Sequence, residues 1–176
     1  MLPRKKKTDK KKPRRNADDR KTWIAKLDKV FSLYIRMRDS KPYRYGSFRC
    51  ISCGDSFPIA MADAGHFVSR NCMPLRWNPA NVHAECQSCN RFHGDHLLAY
   101  RRNLIDKLGR QAFECSSLAD KDISDGQKLR LIRQMGEQKV SQLEAMKYQT
   151  KKWEVDELKQ LYMYYAALVL EMKNEM

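Results

Sequence analysis

Apolar residues recur at threes and fours across residues 17–40, where Trp23, Ile24, Leu27, Val30, Phe31, Tyr34 and Ile35 fall on one stripe of a helix. The same spacing returns in HLLAYRRNLIDKLG, with Leu97, Tyr100, Leu104, Ile105 and Leu108 as its apolar face. Asp95 is placed to cap that helix and Gly109 to stop it. Ser124-Asp125-Gly126-Gln127 resembles a capping box opening a helix through Leu129, Ile132, Met135, Leu143 and Met146, although Gly136 interrupts its pattern. A last helix, roughly 152–173, carries Leu158, Leu161, Tyr162, Tyr165, Leu168, Val169 and Met172 on one side, as core or partner-facing surface.

Between the first and second helical stretches the period changes. KPYRYG is turn-like, punctuated by Pro42 and Gly46. SFRCISCG looks like a strand entering a cysteine turn, and ADAGHFVS like a second short strand. Residues 69–80 hold two prolines and no period, as an ordered loop would. ECQSCNRFHG is predicted to be a short helix starting near Glu85. The chain therefore reads as α+β, with a basic tail over 1–16, a central domain over 17–120 and a helical extension over 121–176.

Composition changes the picture chiefly through charge. The 176 residues carry a formal net charge of +14 with 32% charged and 42% hydrophobic residues, which points to polyanionic partners. Nine lysines and arginines against one aspartate lie in residues 1–16, too polar to bury; this segment is expected to be disordered, as a solubilising tail or a phosphate-binding arm. No signal peptide is evident, and LYMYYAALVL is too short to span a bilayer, so a cytoplasmic location is expected. In a reducing compartment six cysteines argue for metal over disulfides.

Four of the six form matched C-x-x-C pairs, Cys50/Cys53 and Cys86/Cys89, separated by 32 residues. Such pairs can surround Zn²⁺ tetrahedrally, closing a structural site and tying distant backbone together. The alternatives are two unrelated pairs or disulfides. Cys72 and Cys115 have no pairing partner in this scheme.

The four histidines concentrate around this frame, as His66, His83, His93 and His96. On a helix, Cys86, Cys89, Asn90 and His93 share a stripe, so zinc would take its first turn while Asn90 faces an adjacent pocket with His66. A histidine beside oxygen ligands suits metal-assisted phosphodiester cleavage: His66 would take a proton from water, with Mg²⁺ or Mn²⁺ held by Asn90 and Asp63. Arg70, Arg76 and Arg91 are candidates for flanking phosphates. Each residue has a structural alternative. A lone His66 can be a satisfied core histidine, His83 can orient a strand, and Asn81 can brace the loop.

CISCG, DAGHFVSR, RWNPANVHAECQSCNRF and HLLAYRRNLIDKLG, with FSLYIRMRD before them, together resemble the phage NinG recombination proteins, also called Rap, over roughly residues 28–113. More remotely the segment is similar to zinc-braced His-Asn-His (ββα-metal) endonucleases. The resemblance implies a ββα-metal core with flanking helices and an enzyme selective for branched DNA such as Holliday junctions. It implies His66 as general base, Asn81 as the central asparagine and Asn90 as a ligand of the catalytic metal.

The sequence departs from that pattern where many such nucleases carry aspartate directly before the first histidine: Gly65 stands there. Asp63 and His66 face opposite sides of a regular strand, so a bulge at Gly65 would be needed to unite them, or else His83, Asp95 or His96 completes the metal shell. The partner expected is branched DNA, with a homodimer suited to paired cuts. The rival readings are a non-catalytic zinc module that binds nucleic acid and a general homing-type or restriction nuclease.

Overall fold

Helix α1 (Arg20–Ser40) follows the apolar stripe read from the sequence, burying Leu27, Phe31, Ile35 and Met37. This is a computed structural model, which describes residues 19–92, 96–119 and 121–176. The basic segment 1–16, and His93 and Asp95 with the roles foreseen for them, lie outside the described residues. Two antiparallel hairpins follow α1. Strands β1 (Ser47–Arg49) and β2 (Ser56–Pro58) enclose the first cysteine pair. Strands β3 (Ala62–His66) and β4 (Val82–Cys86) pair with Ala62 opposite Cys86 and His66 opposite Val82.

Four helices complete the chain: α2 (Gln87–Phe92), α3 (His96–Glu114), α4 (Asp125–Met146) and α5 (Val155–Asn174). The fold is thus helical around two small hairpins. Among the described residues, no helix is long and apolar enough to cross a membrane.

Three details of the helices differ from the sequence reading. Glu85 does not open a helix; it lies in β4, whose five residues are all buried, and α2 begins at Gln87. Gly109 does not stop α3, which runs on to Glu114. Nor does Gly136 break α4. Both glycines lie where α3 and α4 cross closely. A Cβ on Gly109 would overlap the Ile132 carbonyl oxygen, and one on Gly136 would overlap that of Ile105. The missing side chains thus serve packing, with no turn at either position.

The capping box at Ser124 forms as expected: its hydroxyl accepts from the Gln127 amide, and the Gln127 side chain accepts from the Ser124 amide.

The C-terminal helices are integrated with the central region. Leu158 and Tyr165 of α5 join Leu27, Phe31, Ile35, Trp77 and Val82 in one buried cluster. Val140 and Leu143 of α4 join Ile51, Val68, Leu75, Tyr100, Leu104 and Leu108 in another. The loop between β3 and β4 therefore sits between both clusters, contributing Leu75 to one and Trp77 to the other.

Gly109→Ala should destabilise the protein by about 1–3 kcal/mol, despite alanine's better helix propensity, because the methyl has no space. Gly126→Ala, where a Cβ meets nothing within 4 Å, should be neutral or stabilising. Urea denaturation of the two variants checks the opposite signs.

Candidate functional site

The cysteine frame begins in the turn after β1. Cys50 and Cys53 flank Ile51-Ser52, and Gly54 takes φ +80°, a conformation that favours glycine. The turn closes through Gly54 N–H to the Cys50 carbonyl at 3.0 Å and Cys50 N–H to the Asp55 carbonyl at 2.9 Å. Ile51 N–H then donates to the Ala84 carbonyl at 3.1 Å, docking the turn on β4. Cys86 ends β4 and Cys89 sits one turn later in α2.

All four sulfurs lie within 4.8 Å of one another. Zinc with about 2.3 Å bonds to tetrahedral sulfurs needs them about 3.8 Å apart, so the set fits with small adjustment. Backbone amides already point at the sulfurs, from Cys86 to Cys50 at 3.3 Å and from Cys89 to Cys86 at 3.5 Å. Burial works against the Cys50 thiolate, but amides of Cys86, Cys53 and Ser52 outweigh it and lower its pKa. Burial and the neighbouring sulfurs push Cys53 up to about 12 and Cys89 up as well. Four clustered thiols cannot all ionise without a cation, and Zn²⁺ supplies that charge when bound. Cys72, whose sulfur meets the Met146 carbonyl at 3.6 Å, and exposed Cys115 stand outside the set.

His66 closes β3. Its Nε2 donates to the Arg76 carbonyl at 3.0 Å, leaving Nδ1 to carry the lone pair. Burial is the main cause that lowers its pKa, and the Arg70 and Arg76 cations add to it against the backbone carbonyls. The imidazole is therefore neutral at neutral pH, the form a general base requires.

Asn81 is fully buried. Its Oδ1 accepts from Val68 N–H at 2.8 Å, and its Nδ2 donates to the carbonyls of Val68 at 2.9 Å and Leu75 at 3.1 Å. It staples the 67–80 loop to the start of β4, matching the bracing alternative. It positions His66 through the backbone, since Phe67 N–H donates to the Asn81 carbonyl at 2.9 Å.

Asn90 and His66 line one open pocket of about 360 Å³, together with Ala64, Phe67, Ser69, Arg70, His96 and Leu97. Asp63 is directed elsewhere. The β3–β4 register is one-to-one, so the bulge considered at Gly65 does not form. Asp63 instead accepts from Arg91 Nε at 2.7 Å, Arg91 Nη2 at 2.9 Å and Asn90 Nδ2 at 3.0 Å. Against its partial burial, these contacts hold its carboxyl below the usual range. As placed, it orients Asn90.

The arginines divide. Both loop arginines pair with Asp28 of α1, Arg76 through Nε at 2.9 Å and Nη2 at 2.6 Å and Arg70 through Nη2 at 3.1 Å, but Arg70 is exposed and lines the pocket. Arg91 is exposed but paired with Asp63.

His83 is buried and satisfied. Arg38 donates to its Nδ1 at 2.9 Å and its Nε2 donates to the Ala80 carbonyl at 3.2 Å. It is thereby excluded as a metal ligand in this arrangement. Next to it Asp39 accepts from Ala84 N–H at 2.7 Å and Lys107 at 2.8 Å, joining α1, β4 and α3. Burial would raise Asp39, but His83, Lys107 and Arg38 hold it well below its ordinary value.

Sequence reasoning missed the bracing carboxylates Asp28 and Asp39, and also Glu85. A usable signal for the last was Gly65, a residue without a side chain facing the neighbouring strand beside the key histidine.

These features define a class: an α+β protein in which a four-cysteine cluster clamps a strand–strand–helix unit against a histidine pocket. The chain belongs to the NinG family, since a family model described as "Bacteriophage Lambda NinG protein" matches residues 3–125. Over 96 residues it is 35% identical to protein ninG of Escherichia phage lambda, 33% to that of Escherichia phage 933W and 34% to that of Salmonella phage P22. Each alignment covers 54% of this chain and 44% of the relative, so the matched segment spans less than half of those proteins. No solved structure matches the chain significantly.

Two outcomes follow from this geometry. Purified protein should carry about one zinc per chain, and Cys86→Ser should lose it and melt at markedly lower temperature; metal analysis with thermal unfolding checks both. Burial and the Lys107 charge lower the His83 pKa to about 4, whereas an unfolded histidine titrates near 6.5. This residue's stabilisation is complete above pH 6.5 and declines by about 1.4 kcal/mol per pH unit as pH falls towards 4. In urea denaturation between pH 7.5 and 4.5, the stability difference between wild type and His83→Gln should narrow as the solution is acidified.

Proposed function

We propose that this chain is a metal-dependent DNA endonuclease acting on branched recombination intermediates such as four-way junctions. The observation that carries the reading is the shared pocket of His66 and Asn90, beside a four-cysteine cluster that fixes the helix bearing Asn90. His66 accepts a proton from the attacking water, and the Arg76 carbonyl keeps its ring oriented. The Asn90 carbonyl oxygen is the amide donor suited to a hard cation, its amino group being engaged by Asp63. A bound Mg²⁺ or Mn²⁺ would offset charge on the phosphate and leaving oxygen. Arg70, exposed at the pocket, is placed to meet a neighbouring phosphate, and the basic sequence over 1–16 adds salt-sensitive affinity. Preference for branched DNA rests on the family resemblance, as does action as a homodimer.

A second reading, a non-catalytic zinc module that binds nucleic acid, is favoured by one feature: no carboxylate lines the pocket among the described residues. Zinc-loaded protein incubated with a labelled synthetic four-way junction and Mg²⁺ or Mn²⁺ separates the two. The expected outcome is nicking near the branch, reduced at least about 100-fold by His66→Ala with zinc content and folding retained. Binding without nicking at either metal would favour the module. Equal cutting of linear duplex would point to a general nuclease.

A further inference from the structure

Glu85 is the unusual group beside this pocket. It is a fully buried carboxylate in β4, and no lysine or arginine among the described residues bonds to it. Its Oε1 accepts from the Ser52 hydroxyl, in the cysteine turn, and faces His96 Nδ1 at 2.6 Å. Its Oε2 has no hydrogen-bond partner among the described residues. A buried carboxylate in this state is costly unless a positive charge stands close by.

Gly65 explains how Glu85 fits. A Cβ at position 65 would overlap Glu85 Oε2 and stand 2.9 Å from the Glu85 Cβ. A side chain at 65 would therefore collide with the glutamate as it is placed. Tyr100 reinforces the arrangement by donating to the Gly65 carbonyl at 2.9 Å.

His96 is the link to the pocket. Its Nδ1 faces a carboxylate oxygen and so carries a hydrogen; in the neutral tautomer Nε2 is then the lone-pair donor, and in the protonated form His96 is the ion-pair partner of Glu85. His96 also lines the pocket with His66 and Asn90. A carboxylate holding the far nitrogen of an imidazole is the arrangement that orients metal-binding histidines.

We propose that His96 Nε2 is a ligand of the divalent cation at the His66–Asn90 pocket, and that Glu85 is the positioning residue that fixes its tautomer. Gly65 is the consequence: the carboxylate expected beside His66 is replaced by Glu85 on the neighbouring strand, acting through an imidazole. The cation in turn offsets the charge of the buried glutamate. This inference rests on the metal-pocket reading above and names a ligand within it.

The test uses full-length, zinc-loaded protein titrated with Mn²⁺ and followed by electron paramagnetic resonance. Pulsed measurements on the bound ion detect coupling to a directly ligated imidazole nitrogen. Wild type is expected to bind one Mn²⁺ with such coupling. His96→Ala should abolish the coupling and weaken Mn²⁺ at least about 10-fold with zinc content retained, while the melting temperature falls because buried Glu85 loses a partner. Glu85→Gln should weaken Mn²⁺ about 10- to 100-fold. Should Glu85→Gln fail to fold, Ser52→Ala, which frees Glu85 of its other donor, must leave the coupling in place.

Unchanged coupling and affinity in His96→Ala would overturn the inference. If that variant also keeps Asn90-dependent Mn²⁺ binding and nicks junctions, the endonuclease reading survives without His96. If wild type binds no Mn²⁺ at the pocket and does not cut, both fail.

Discussion

A cluster of four cysteine sulfurs fixes where the first cysteine turn, β4 and α2 meet, and the pocket inherits its geometry from that junction. The sulfurs come from residues separated by 32 positions in the chain, and they converge within 4.8 Å. A small α+β region with only two-stranded hairpins has little core of its own. A metal ion held by the four sulfurs would substitute there for buried area, as in other small cysteine-braced domains. The hydrogen bond from Ile51 to Ala84 and the amides directed at the sulfurs hold the four cysteines in a set that could receive such an ion.

Three carboxylates extend that constraint outward. Asp39 ties α1 to β4 and α3, and Asp28 ties α1 to the loop through Arg76 and Trp77. Asp63 ties β3 to α2 through Asn90 and Arg91. Asn81 completes the frame by satisfying the loop backbone that carries His66 into place. The basic composition therefore coexists with a set of acidic groups engaged in bracing. Arg70 also pairs with Asp28, but at 60% side-chain exposure against 13% for Arg76 it is the more accessible of the two loop arginines.

Much of this was legible in the sequence. The stripes of α1 and α5 and the Ser124 cap are local signals that survive folding, whereas the α4 stripe holds at Ile132 and Leu143 but leaves Leu129 exposed and buries Val140 instead. The two C-x-x-C pairs announced the cysteine cluster because their spacing lets four sulfurs converge. Gly109 and Gly136 misled because a glycine that ends a helix and one that admits a neighbouring helix look alike in one dimension. Asp63 was favoured as a ligand by nearness in sequence, yet strand alternation turns it away from His66 towards Arg91. The role of Glu85 was hidden because it depends on a cross-strand void at Gly65 and on a histidine eleven positions later.

The central proposal is spatial: one ion would close the cysteine cluster and a different ion would sit between His66 and Asn90. Anomalous scattering from crystals of zinc-loaded protein soaked in Mn²⁺ tests it most directly. The account predicts zinc at the four sulfurs and a separate manganese peak within bonding distance of Asn90 Oδ1, adjacent to His66. Manganese absent from that pocket, or zinc anywhere other than the four sulfurs, would contradict it.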